Sequence, residues 1–182
     1  VIKIDKQGWV EGIKHCPSPF FNERPADCNI DLLVIHNISL PPGQFGGPEI
    51  EDFFQGKLDH SMHPYFETIK GMEVSAHFVI KRTGEMIQFV SLNDRAWHAG
   101  KSSFKGKENC NDYSIGIELE GTDDIPFTEE QYRSLVGLTQ SILQAFPDIN
   151  LQRITGHSDI APSRKTDPGP CFDWKYYREM IS

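Results

Sequence analysis

Hydrophobic residues along the chain fall into short blocks of differing period, and each period predicts an element. DLLVIHN, residues 31 to 37, is a nearly continuous apolar run closing on polar residues, as in a buried central strand, with His36 at its C-terminal end. SAHFVIKRTGEMIQFV, residues 75 to 90, holds two β-rich runs separated by Arg82-Thr83-Gly84-Glu85, a hairpin whose glycine supplies the turn. In SIGIELEG, residues 114 to 121, Ile115, Ile117 and Leu119 alternate with Gly116, Glu118 and Glu120. A period of two puts both glutamates on the strand face opposite the isoleucines.

Helical spacing appears in three places. Thr128 with Gln131 three residues on forms a capping-box pattern, Tyr132, Leu135, Val136, Thr139, Ile142, Leu143 and Phe146 follow on one face, and Pro147 stops the run. Shorter helices are expected over Pro48 to Gln55 and over Asp173 to Ile181, the second packing Trp174, Tyr177 and Ile181. Prolines and glycines in LPPGQFGGP, from residue 40 to 48, interrupt both periods and predict a loop, as does the proline-studded GHSDIAPSRKTDPGP of residues 156 to 170. No internal repeat or low-complexity linker divides the chain. The expectation is one α/β domain over residues 1–182, with a mixed central sheet flanked by helices.

Composition narrows the function. At 182 residues the chain can bury roughly 70% of its unfolded surface, so no structural staple is required. No stretch approaches the roughly 18 apolar residues of a membrane span. A formal net charge of −8 argues against general nucleic-acid or anionic-membrane binding, which need summed positive charge. KSSFKGK, with Lys101, Lys105 and Lys107, is the densest local gathering of cations and reads as a solvated loop. Cys16, Cys28, Cys110 and Cys171 form no C-x-x-C pair, which disfavours a thiolate zinc site and leaves two disulfides or free thiols open. The absence of a charged start followed by an apolar stretch points toward a cytoplasmic address.

The candidate chemistry sits in a few polar residues. Of seven histidines, His36 at a strand end and His157 before a stiff loop stand where scaffolds present side chains to clefts, and Asp167 is confined by Pro168. Two imidazoles and a carboxylate would make a three-ligand site with one open position, the usual form of catalytic zinc. Their spacing matches no short helical zinc motif, so scattered polar loop residues remain the competing interpretation. Lys165, two residues from Asp167, is costly beside a cation unless negative charge develops there during reaction. Glu118 is either a solvent-facing strand residue or, on a cleft wall, a proton acceptor for a metal-activated water. RAWHAG, residues 95 to 100, offers either a core tryptophan with a surface histidine or an aromatic wall for a sugar or peptide. His77 within SAHFVI is expected to be buried and hydrogen-bonded.

Taken together and in this order, LLVIHNISLPPGQFGGP, SAHFVIKRTGEMIQFV, RAWHAG, CNDYSIGIELEGTD and TGHSDIAPSRKTDPGP resemble the zinc-dependent N-acetylmuramoyl-L-alanine amidases. Within that family they are most similar to the cytosolic AmpD type, which acts on 1,6-anhydro-muropeptides. The resemblance runs from Gly8-Trp9 to the final helix. It implies a sheet-and-helix fold related to peptidoglycan-recognition proteins, with Zn2+ on His36, His157 and Asp167. It further implies Glu118 as proton acceptor, Lys165 as the group that steadies the transition state, and Asn37, Trp97 and His98 lining the substrate cleft. Glu73 and Asn109 stand where the resemblance would place arginines for the peptide's acidic groups. The implied enzyme is a monomer taking a muropeptide substrate, an anhydro-N-acetylmuramyl peptide, in peptidoglycan recycling. The alternatives are a non-catalytic peptidoglycan-binding module of the same fold and a metalloprotease of ordinary peptides.

Overall fold

The computed structural model describes all residues from 1 to 182. Ten strands and five α-helices follow one another as β1 (Lys14–His15), β2 (Phe21–Asn22), β3 (Leu32–Ile38), α1 (Glu49–Phe54), α2 (Pro64–Thr68), β4 (Phe78–Ile80), β5 (Met86–Gln88), β6 (Arg95–Ala96), β7 (Ser103–Phe104), β8 (Lys107–Glu108), β9 (Ser114–Glu120), α3 (Glu129–Ala145), β10 (Ile154–Gly156), α4 (His157–Ile160) and α5 (Trp174–Ile181). Six strands form one mixed sheet in the order β1-β5-β4-β9-β3-β10. Only the β4–β5 hairpin is antiparallel within it. Its turn uses Gly84 at a φ of 88°, conformational space that a side chain would strain.

The long strands β3 and β9 occupy the middle and pair in parallel, with His36 beside Glu118. Their alternate residues serve two layers. Leu33, Ile35, Ile115, Ile117 and Leu119 pack with Leu135, Leu138 and Ile142 of α3 and with Tyr177 and Ile181 of α5. On the opposite face Leu32 and Val34 meet Ala99, Cys110, Tyr113 and Ile160, while Val79 and Ile87 meet Ile50, Phe53 and Phe54 of α1. Both faces of the sheet are therefore covered, as parallel strands require, and all seven residues of β9 are buried. Glu118 and Glu120 do lie opposite the isoleucines, yet neither is solvent-facing: the second apolar layer and its loops cover them.

Helix α3 begins as its sequence dictates. Thr128 Oγ1 accepts from the Gln131 amide at 3.1 Å, and Gln131 Oε1 accepts from the Thr128 amide at 3.1 Å. The Gln131 side-chain nitrogen also donates to the carbonyls of Ile80 and Glu120, tying the helix start to the ends of β4 and β9. Asp173 caps α5 by accepting from the Tyr176 amide. Two expected loops contain short regular pieces. Residues 101 to 107 include β7, whose hairpin with β8 turns through Lys105 and Gly106 at φ 49° and 81°. In GHSDIAPSRKTDPGP, Gly156 ends β10 and His157 opens the one-turn helix α4. Two or three residues are too few for a period to show in the sequence.

Candidate active site

The C-terminal ends of β3, β9 and β10 converge at the floor of a cleft of about 520 Å³ whose lining includes Trp97, His98, Glu118, His157, Lys165 and Asp167. Parallel pairing explains the convergence. β3 delivers His36, its neighbour β10 delivers His157 one residue beyond Gly156, and the loop after α4 returns Asp167 between them. The Ser158 amide donates to the Asp167 carbonyl at 2.9 Å, which closes the loop back onto α4.

Three donor atoms form a small triangle. His36 Nδ1 and His157 Nδ1 are 3.0 Å apart, and Asp167 Oδ2 is 3.2 Å from the first and 3.3 Å from the second. Tetrahedral ligands at ~2.0–2.1 Å from a zinc ion are separated by ~3.3 Å, so the edges fit a metal centre. Tautomers support the same conclusion. His157 Nε2 lies 3.0 Å from the Ala99 carbonyl, which can only accept, so that nitrogen bears the hydrogen and a neutral ring leaves Nδ1 bare. Burial favours this neutrality at His36, lowering its pKa. Lone pairs aimed at one point beside a carboxylate repel each other until a cation occupies that point.

Glu118 stands next to this triangle, with Oε1 3.8 Å from His36 Nδ1. Its Oε2 is buried and has no protein partner, which leaves an acceptor at the cleft wall free to meet a water or substrate atom. Burial, then repulsion from Asp167, pushes this carboxyl well above its ordinary pKa, against the pull of the Lys165 ammonium. Lys165 itself is exposed on the rim and anchored through its amide to the Ala161 carbonyl at 2.9 Å.

The three residues expected to line the cleft differ in what they touch. Trp97 is half-buried, its indole nitrogen donates to Asn22 Oδ1 at 2.7 Å, and the Phe20 ring stacks at 6.3 Å. Asn37 spends its side-chain amide on Asp123 Oδ1 at 2.7 Å and on the Pro168 carbonyl at 3.0 Å, so it braces the loop that carries Asp167. His98 is buried with both ring nitrogens engaged, so of the two alternatives for RAWHAG the core tryptophan beside a surface histidine does not hold. His77 is fully buried: Nδ1 accepts from the Gly116 amide and Nε2 faces the Asp94 carbonyl, while burial and the Arg24 guanidinium push its pKa down to about 3.

Sequence reasoning missed Asp123, which accepts from both Asn37 and Thr166 and so clamps the loop around Lys165 and Asp167. It also missed Arg164, whose guanidinium donates to the carbonyls of Ala99 and Lys101 at the cleft edge. Neither residue carries a local signal, since each is defined by a partner more than 40 positions away. Glu73 and Asn109 are both exposed, and the cations that border the cleft are Arg164 and Lys165.

Comparison with known proteins identifies the family. The N-acetylmuramoyl-L-alanine amidase family profile matches residues 26–170. The chain belongs to that family. It is 52% identical over 177 residues to the 1,6-anhydro-N-acetylmuramyl-L-alanine amidase AmpD of Escherichia coli (strain K12), covering 97% of this chain and 96% of that one. Identity to the Haemophilus influenzae AmpD is 54% over 180 residues, covering 99% and 98%. A crystal structure of an AmpD selenomethionine derivative superposes with a TM-score of 0.96 at 50% identity over the whole of both chains. The E. coli amidase AmiD in complex with anhydro-N-acetylmuramic acid-L-Ala-D-γ-Glu-L-Lys matches with a TM-score of 0.61 at 26% identity, covering 97% of this chain and 65% of that one. The fold class expected from the sequence, the amidase family and amide hydrolysis are thus established for this amidase. No helix is long and apolar enough to cross a membrane.

Proposed function

We propose that this amidase is a zinc enzyme that cleaves the amide joining the lactyl group of 1,6-anhydro-N-acetylmuramic acid to L-alanine in muropeptides, within peptidoglycan recycling. The observation that carries this reading is the triangle of His36, His157 and Asp167 beside the unpartnered carboxylate oxygen of Glu118. The names of the AmpD relatives support the substrate, as does the muropeptide bound by the related AmiD. Four cysteines standing as free thiols accord with a reducing cytoplasmic setting, and the whole span 1–182 serves as one amidase domain.

His36 Nδ1, His157 Nδ1 and Asp167 would hold the metal. When bound, Zn2+ supplies Lewis-acid polarisation of the scissile carbonyl and lowers the pKa of water from ~15.7 toward roughly 7. Glu118 accepts the proton of the attacking water at its free oxygen and delivers it to the departing alanine nitrogen. Lys165 places its ammonium at the rim, where negative charge develops on the carbonyl oxygen. Trp97, held by Asn22 and Phe20, offers an aromatic face to the sugar.

Mass spectrometry of products from anhydro-muropeptide tests the assignment: release of free stem peptide is expected. Glu118→Gln should retain zinc and lose roughly 10²- to 10⁴-fold in kcat. Turnover of that variant near the parent rate would remove Glu118 from the mechanism. Muropeptide binding without peptide release would favour a binding module, and equal cleavage of peptides lacking muramic acid would favour a protease.

A further inference from the structure

Two residues outside the metal triangle, His98 and Ala99, touch both of its imidazoles. His98 Nδ1 lies 2.9 Å from His36 Nε2, and the Ala99 carbonyl lies 3.0 Å from His157 Nε2. Both amides of this dipeptide are held by one buried side chain on another turn: Asn111 Oδ1 accepts from the His98 amide at 3.1 Å and from the Ala99 amide at 2.8 Å. The His98 ring is seated on β9. Its Nε2 lies 3.0 Å from Ser114 Oγ, and its body occupies the space above Gly116, where an added Cβ would come within 2.5 Å of the ring. One face of one strand thus presents an anchor at 114, a seat at 116 and the carboxylate at 118.

We propose that Asn111 and His98 are positioning residues: Asn111 pins the His98-Ala99 backbone so that the two residues together orient both metal-binding imidazoles. When His98 donates from Nε2 to Ser114 Oγ, its bare Nδ1 accepts from His36 Nε2, and His36 is left with a lone pair on Nδ1. Ala99 does the same for His157 through its carbonyl. Partners that fix ring orientation and tautomer in this way govern how tightly a metal is held. An Asn111 defect therefore reaches both imidazoles at once, without touching metal or substrate. This inference rests on the metal site proposed above.

The test measures zinc affinity of the full chain by competition with a chromophoric chelator, alongside visible absorption of the Co2+-substituted protein. Asn111→Asp keeps the acceptor and should bind zinc within a few-fold of the parent. Asn111→Leu loses it and should bind about 10- to 100-fold more weakly, with altered Co2+ bands. Should Asn111→Leu fail to fold, the pair His98→Gln and His98→Phe decides, because glutamine can still accept from His36 and phenylalanine only fills the space. Parent-like affinity in folded Asn111→Leu, or in His98→Phe, would overturn the proposal. His157→Ala is the control that separates the two ideas: parent-like zinc binding there overturns the metal site itself, whereas loss there with full affinity in Asn111→Leu overturns only the brace.

Discussion

At Glu118 and at His77 the same force, burial, has opposite chemical consequences. Glu118 is a carboxylate whose free oxygen opens on the cleft, while His77 is an imidazole whose two nitrogens are spent inside the protein. His77 is therefore a stability residue, and its effect on acid unfolding has a definite sign. Its pKa lies near 3 in the fold against an ordinary 6.5, with the Arg24 guanidinium and the His98 ring as the groups facing it. Above pH 6.5 neither folded nor unfolded chain carries the proton. As pH falls from 6.5 toward 3 the unfolded chain takes it up and the folded chain does not, so stability is lost at up to ~1.4 kcal/mol per pH unit from this group. Denaturant unfolding of His77→Gln across that window should show a shallower slope. A slope identical to the parent's would show that His77 is matched in both states.

Strand β9 illustrates how an element carries more than its period. Its isoleucines face α3 as alternation demands, but the opposite face combines Ser114, Gly116 and Glu118 in a sequence of roles that alternation alone does not announce. Gly116→Ala should force the His98 ring from its seat and cost roughly 1–3 kcal/mol. Thermal unfolding with and without zinc should register a lower midpoint in both states and a smaller zinc-dependent gap; unchanged midpoints would mean that the ring moves aside freely. At the start of α3, Thr128→Ala removes half of the capping box and should cost about 1 kcal/mol. In a chain of this size that lowers Tm by ~2–4 °C, with zinc affinity unaffected because the cap lies outside the proposed metal-binding residues. A shift below 1 °C would assign the helix start to the Gln131 bonds with Ile80 and Glu120 instead.

For the whole molecule, the proposed zinc ion is expected to act as a structural ligand as well as a catalytic one. His36, His157 and Asp167 come from β3, α4 and the loop after it, so a cation bound among them joins segments as far as 131 positions apart. Zinc at ~1,000 times its dissociation constant would add about 4 kcal/mol to stability, a rise in midpoint of roughly 10 °C. Exhaustive chelation should abolish amide cleavage and remove that increment, and added zinc should restore both. Full activity after chelation would end the zinc reading, whatever the geometry.

Much of this was legible in residue order. The hairpin of residues 75 to 90, the capped helix from Thr128, the central strand ending in His36 and the alternation that separates Glu118 from its isoleucines all follow from local periods and capping chemistry, which the backbone obeys wherever the segment lies. The motifs together sufficed to mark an amidase. Tertiary structure decided the rest. Whether His36, His157 and Asp167 meet depends on β3 pairing with β10. Whether Glu118 faces water or a cleft depends on the layer that covers it. That His98 and Asn37 spend their polar atoms inside the protein depends on partners such as Ser114 and Asp123, distant in sequence and invisible to any local pattern. Periodicity reports which face a side chain occupies; only the packing of other segments reports what that face meets.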